Sequence, residues 1–452
     1  DLLMDYSRIN AMILEAQRMR DEAPHPADSA KFRPDPSIPY LKHDEAFGEQ
    51  GDGKLILRPP GNKLTTATSI VPTAKDQAKF WVTAWQTFSD EPEPPNYAAI
   101  ARITQKGEMD TSFGSEGFVK VAFDDKNYTS LDYLHEQSDG KLIVFGNLIE
   151  KKEASVHYQP MMIRLLPDGS VDESFGTNGV VDVATTINKT AVQAFYGVDA
   201  QGRTLVLAEV NKEDYPISFL ARLTAEGKLD ESFRIVEILK GDHGANSIDI
   251  MLDNNNKKIF ITFQTPSEAY YVVCFYSEGG LDRAFGSEGF ADLSSHLKSV
   301  TSCSFTQKSN HLFISGDSYD ETRAYATLAN FTTDGKPELK FNGGRPVKSY
   351  FAKLFPERVW YNAHELAGDP FTIKTLGWYG SSGESYQVVG RFTRAGASDG
   401  SFVENEPIGQ LQAGDYFSYG HQNFINDAPT RFLVAGRSSY GATIFAVKEG
   451  PE

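Results

Sequence analysis

Short apolar runs of five to seven residues recur along the chain, each closed by a glycine-bearing polar turn: AAIARI at 98–103, MMIRLL at 161–166, FLARL at 219–223, VVCFY at 272–276, YATLANF at 325–331 and QVVGRF at 387–392. A second set follows earlier turns: LIVFG after Asp139-Gly140-Lys141, TLVLA after Gln201-Gly202-Arg203, IFITF after Asn256-Lys257-Lys258, LFISG after Asn310-His311 and FLVAG after Thr430-Arg431. Runs this short, rich in branched and aromatic residues, predict strands packed on both faces. A third apolar segment follows each first-set turn, as in GFVKVAF and GVVDVA. With one more strand leading into each unit, the pattern gives four short strands per unit.

The units are copies. A phenylalanine follows an acid by three positions at Asp44/Phe47, Asp110/Phe113, Asp172/Phe175, Asp230/Phe233, Asp282/Phe285, Glu338/Phe341 and Asp399/Phe402. Successive phenylalanines lie 66, 62, 58, 52, 56 and 61 residues apart, so one unit of some sixty residues fills the chain. Six of the seven have a glycine six residues upstream: Gly107, Gly169, Gly227, Gly279, Gly335 and Gly396. Glycine accepts the positive φ of a tight hairpin at no steric cost. The acid can accept backbone N–H bonds across the turn, and the ring can fill a gap between sheets. Seven four-stranded antiparallel sheets read as an all-β, seven-bladed β-propeller, with an open solenoid as the alternative.

The ends predict closure. The last strand, ATIFAVKEG at 442–450, stops at its turn glycine, and the acid and phenylalanine that should follow stand instead in HDEAFGEQGDGKLIL at 43–57. The N-terminal segment is therefore expected to supply the outer strand of the C-terminal blade, leaving no open seam. Residues 41–452 form the propeller on this reading, and residues 1–40 form a leader. Leu2, Tyr6, Ile9, Ile13 and Ala16 fall at helical spacing, which predicts a short amphipathic helix over 1–20, and 24–40 reads as a proline-bearing connector. The helix packs on the ring or contacts a partner.

The pattern D-x-x-F-G-x-x-G after a turn, clearest in DGSVDESFGTNGVVDV at 168–183, resembles the delta-60 repeat of bacterial proteins. That resemblance implies a propeller and a bacterial, often exported, protein, secreted or in the cell envelope; it implies no catalytic residue. Arg234, Asn342 and Val403 replace the glycine after phenylalanine, so altered outer turns are expected in those three units.

Forty-four basic against 61 acidic residues give a net charge of −17, which argues against nucleic acid as a partner. No run of eighteen apolar residues predicts a membrane span. Cys274 and Cys303 are too few for a disulfide framework and lack metal-ligand spacing, leaving two thiols or one disulfide. No nucleophile elbow, phosphate loop, zinc helix or EF-hand loop is present, and neither a cofactor nor a metal is expected. The loops entering the first strand of each unit differ from copy to copy, as FDDKNYTS, LKGDHGANS, VKSYFAKLFPERVWYN and GQLQAGDYFSYGHQ do. Binding is expected on that face. Candidate ligand-binding residues are Trp360, Tyr361 and His364 on one inner strand, Tyr416, Phe417 and His421 entering the next, and Asp132 and Asp249 on others. The functional expectation is a non-enzymatic binding or assembly module for a protein or glycan; a carbohydrate-active hydrolase or lyase at the channel mouth is the alternative.

Overall fold

The computed structural model describes residues 37–450, apart from 88–91, 153–154, 213–214, 242, 254, 256, 299, 301, 307–309, 320–323, 350–357, 368–371, 382–383, 404–407, 413 and 419–421. Over Ser302–Thr306 and Arg358–Ala367 it describes the backbone only. The expected N-terminal helix and most of its connector lie outside the described residues.

The chain is an all-β, seven-bladed β-propeller of four-stranded antiparallel blades. Blade 1 runs from the inner strand outward as Thr66–Pro72, Lys79–Trp85, Ala98–Thr104 and Phe118–Lys120. Blade 2 is Tyr128–Glu136, Leu142–Lys152, Ser155–Leu165 and Val180–Asp182; blade 3 is Ala191–Val198, Thr204–Val210, Ile217–Leu223 and Val236–Glu237. Blade 4 is Asn246–Leu252, Lys258–Gln264, Tyr270–Tyr276 and Phe290–Asp292; blade 5 is Ser302–Thr306, His311–Tyr319, Ala324–Thr332 and Val347–Ser349. Blade 6 is Arg358–Ala367, Thr372–Ser381, Glu384–Phe392 and Ile408–Gln410.

Blade 7 is composite, as the chain ends predict. Its inner strand comes in two pieces, Tyr416–Phe417 and Phe424–Ala428, followed by Arg431–Ser438 and Gly441–Lys448. The N-terminal strands Lys42–His43 and Lys54–Ile56 complete it, with His43 opposite Val447 and Leu55 opposite Ile444. Ion pairs pin the junction: Asp44 to Arg431 at 2.8 Å and Lys54 to Asp415 at 2.6 Å. The docked chain begins before these strands. Ile38 is buried between blades 5 and 6, Leu41 between blades 6 and 7, and Gln410 bonds the backbone of Ile38, Pro39 and Leu41.

Alternate residues of one strand serve opposite seams, which is why these strands are apolar throughout. In blade 2, Leu142 and Val144 face blade 1, whereas Ile143 and Phe145 face blade 3. The repeated acid and phenylalanine sit in the third-to-outer turn. Asp172 accepts from the Ser174 amide at 3.2 Å and from Arg164 Nε at 2.8 Å. The Phe175 ring is fully buried beneath that guanidinium, 4.7 Å from its centroid.

Phe175 also reaches the next blade. A Cβ on Gly227 of blade 3 would stand 2.8 Å from the Phe175 ring, and the residue has φ +76°. Gly107, Gly169, Gly279, Gly335 and Gly396 meet Phe47, Phe113, Phe233, Phe285 and Phe341 in the same way. The turn glycine thus serves twice, as a left-handed hairpin residue and as a seat for the ring of the preceding blade.

Phe402 of blade 6 is seated differently from the other six rings. It is fully buried beneath Arg391, 5.1 Å from its centroid, as the pattern requires. It has no glycine seat, however, and stacks on Phe432 of blade 7 with centroids 6.4 Å apart. A Cβ on Gly450, the corresponding turn glycine, would meet no atom within 4 Å; its amide bonds the Phe402 carbonyl at 2.9 Å. The reason lies in the composite blade. Its outer strand comes from the N-terminal segment, so no third-to-outer hairpin folds Gly450 over the ring.

The three turns lacking the glycine after phenylalanine also differ. Blade 5 keeps the left-handed step with Asn342 at φ 48° inside a 3₁₀ turn, blade 3 has a two-residue outer strand, and blade 6 buries Val403 in the seam with blade 7.

Candidate functional site

Topology places the first-to-second turns of the blades, and the third-to-outer turns of blades 1–6, on one face and the unlike loops on the other. On the turn face the repeated polar groups are internally matched. Asp110, Asp172, Asp230 and Asp399 each meet an arginine eight residues upstream, Arg102, Arg164, Arg222 and Arg391, at 2.7–2.8 Å. Burial alone would raise these carboxyls, yet in Asp172 the Ser174 and Arg164 hydrogen bonds outweigh it and hold the group below the usual carboxylate range. This arginine was visible in the strands as AAIARI, MMIRLL, FLARL and QVVGRF. Sequence reasoning missed it.

On the other face the inner strands carry a recurrent β-bulge, between Ala67 and Ser69, Leu131 and Tyr133, Ser247 and Asp249, and Tyr361 and Ala363. A bulge adds one residue and re-aims its side chain. In blade 1 that residue is Thr68, whose hydroxyl bonds Thr83 at 2.8 Å and the Leu131 carbonyl at 2.7 Å. Ser69 joins the same hydroxyl of Thr83 at 2.6 Å, and Thr66 meets Ser418 of blade 7 at 3.3 Å. The inner wall of blades 7, 1 and 2 is thus stitched by hydroxyls.

Asp132, the bulge residue of blade 2, is exposed and accepts from Asn147 Nδ2 at 3.3 Å. Its neighbour Tyr133 packs against Phe145 and donates to the Tyr196 carbonyl at 3.2 Å. Tyr196 stacks on Phe145 with centroids 4.5 Å apart, and its own buried hydroxyl finds no hydrogen-bond partner among the described residues. Burial, with negative charge from Asp132, pushes both phenols well above their ordinary range; Asp249 adds to the effect on Tyr133. Both remain hydrogen-bond donors at any physiological pH. Asp249 is buried on the inner strand of blade 4 and accepts the Ile250 amide at 2.8 Å.

The predicted residues therefore separate. Asp132 and Asp249 belong to one acidic, tyrosine-bearing wall of blades 2–4. Tyr416 lies apart in blade 7, half-buried beneath the Arg437 guanidinium at 5.1 Å. Phe417 is a core residue, packed edge-on against Phe445 at 5.5 Å, in contrast to the exposed Asp132. Trp360, Tyr361 and His364 lie on the inner strand of blade 6, with Trp360 opposite Trp378 and His364 opposite Thr375 in register. His421 lies outside the described residues.

Glu209 also escaped the sequence reading. It is the penultimate residue of the second strand of blade 3, in the apolar run TLVLAEV, and is buried against blade 4. Burial raises its carboxyl to about 7, although the Ser247 amide partly offsets this, and Oε2 has no partner among the described residues. The signal was an acid inside a buried strand. Among the described residues no group of three or more His, Cys, Asp or Glu gathers as a metal site, and no helix is long and apolar enough to cross a membrane.

No protein-family model and no curated protein matches the chain. Among solved structures it is similar to a PL25 polysaccharide lyase, an ulvan lyase, at 10% identity and a TM-score of 0.46, covering 86% of this chain and 95% of that one. It is similar to the α-L-arabinofuranosidase Arb93A of Fusarium graminearum at 10% identity and a TM-score of 0.41, covering 75% and 97%. A prolyl endopeptidase matches at 12% identity and a TM-score of 0.45, covering 99% of this chain and 55% of that one. Similarity at this level bears on neither ligand nor activity.

Proposed function

We propose that this propeller is a non-enzymatic binding module that presents its unlike loops and inner-strand wall to a protein or glycan partner. The observation that carries the reading is the asymmetry between faces. The repeated acids, arginines and rings of the turn face are used up in holding blades together, whereas Asp132 stands exposed on a bulge whose counterpart in blade 1, Thr68, is buried in scaffold bonds. The loop entering blade 2 is also preorganised, with Asp124 accepting from the Lys126 and Asn127 amides at 2.9 and 2.8 Å, which lowers the ordering cost of binding. Glycan-array screening and pull-downs with the intact chain test it. Retention that is lost in Asp132→Ala supports the reading, and absence of any retained glycan or protein overturns it.

A second reading, a carbohydrate-active hydrolase or lyase, is favoured by one observation. Burial raises the Glu209 carboxyl to about 7, so it holds a proton near neutral pH, as a general acid must. Release of reducing ends or unsaturated sugars from a polysaccharide panel, abolished by Glu209→Gln, would move the assignment to an enzyme. A panel left intact removes the second reading.

A further inference from the structure

We propose that a second copy of this chain can donate its N-terminal arm, Ile38–Leu57, to blade 7, so that the protein has an arm-exchanged dimer as an accessible state. The arm behaves as an inserted segment. Ile38 enters the seam of blades 5 and 6, Leu41 that of blades 6 and 7, and Phe47, Leu55 and Leu57 that of blades 7 and 1. Its polar contacts run to remote parts of the chain, with Asp44 and Arg431 387 residues apart in sequence. Nothing in these contacts depends on arm and blade sharing one chain. The same pairings form equally well between two copies, which is the condition for domain swapping.

The connection permits it. Pro60–Lys63 is exposed, and the turn there is drawn back by two local bonds, from the Asn62 amide to the Pro59 carbonyl at 3.2 Å and from the Asn62 side chain to the Pro60 carbonyl at 3.0 Å. Straightening this link changes a few dihedrals at Gly61, whose φ is +67°, and leaves the packed arm intact. Folding kinetics favour capture between chains. The arm's partner strand, Gly441–Lys448, lies at the far end of the chain, so an early-made arm must await the most non-local pairing in the fold.

Lys42 and Lys448 face each other across the arm–blade pairing. The test uses two single variants, Lys42→Cys and Lys448→Cys, denatured together and co-refolded, with the unaltered chain as background for its own cysteines. Exchange predicts a disulfide-linked heterodimer whose ratio to monomer rises roughly tenfold for a tenfold rise in chain concentration, as mass action requires. The same variants folded separately and then mixed should give none. No heterodimer above background at any concentration, while the double variant links within one chain, overturns the proposal. Should the pair fail to link even within one chain, deletion of Gly61 and Asn62 decides. A link too short to reverse should force a defined dimer by light scattering, and any other outcome overturns exchange.

Discussion

Blades 2 and 4 solve the same turn differently. In blade 2, Arg164 both pairs with Asp172 and lies over Phe175; in blade 4 the corresponding position is Cys274, whose thiol reaches Asp282 only at 3.9 Å and brings no positive charge to the ring. Asp282 is held instead by Lys258 at 2.9 Å and the Tyr276 hydroxyl at 3.0 Å. Blade 5 departs again, with Asn330 in the arginine position and Glu338 held by His311 at 2.8 Å. The turn therefore requires a satisfied acid and a buried ring, but not one particular cation. What the arginine adds is a shared guanidinium that binds acid and ring at once.

The largest test of that difference is to remove the rings. Phe175→Ala should cost about 3–5 kcal/mol, because it leaves a cavity against Gly227 and strips Arg164 of its aromatic floor. Phe285→Ala removes an equally buried ring that has no arginine over it, and should cost about 0.5–2 kcal/mol less. Equal shifts in denaturation midpoint would show that the stacking contributes nothing. Next in size, Arg164→Met should cost about 2–4 kcal/mol, since Asp172 is left buried with Lys141 as its remaining cation at 3.6 Å.

Acid should separate the blades next. His311 is lowered chiefly by burial, with the Glu338 charge pulling the other way, so it is more readily protonated when unfolded than when folded. The unfolded state then binds more protons, and blade 5 loses stability as pH falls below about 6.5. The carboxyls of Asp110, Asp172 and Asp230 are depressed in the fold, so their contribution persists above about 4 and is lost only below it. Blade 2 carries His135, likewise lowered by burial, so the comparison is with blades 1 and 3: hydrogen exchange followed from pH 7 to 5 should open blade 5 before those two, and simultaneous opening would contradict the assignment. The smallest effect concerns Cys274. Burial, with Asp282 nearby, pushes its thiol up to about 12, Lys258 acting in the opposite direction. Mass spectrometry should find Cys274 unalkylated in the native protein at pH 8 and alkylated after unfolding.

Period and closure were legible because they rest on features that sequence records directly: recurring Asp and Phe, turn glycines, and a missing motif at one end restored at the other. The partner of each glycine was not legible, because Gly227 and Phe175 are joined only by the rotation from one blade to the next. For the same reason Phe402 looked like its six counterparts, although the blade it faces has no hairpin to seat it. The eight-residue step from Arg164 to Asp172 was present in the letters but reads as a strand's polar side until the turn folds the acid back onto it. Ile38 sat in a proline-bearing stretch where periodicity carries no information, so its burial followed from docking alone. Phe417 lies where the inner strand of blade 7 is broken in two, and alternation gives no facing at such a break.

The seating of Phe175 on Gly227 bears on how such a ring changes size. Every junction from blade 7 to blade 1 onward through blade 5 to blade 6 uses one ring and one bare α-carbon, so a duplicated unit would present the correct plug and the correct socket to its neighbours from the outset. Individual to their place are the arm's couplings, Asp44 with Arg431 and Lys54 with Asp415, and the stack of Phe402 on Phe432 beside them. Copy number can therefore drift in the middle of the gene while the two ends remain bound to each other.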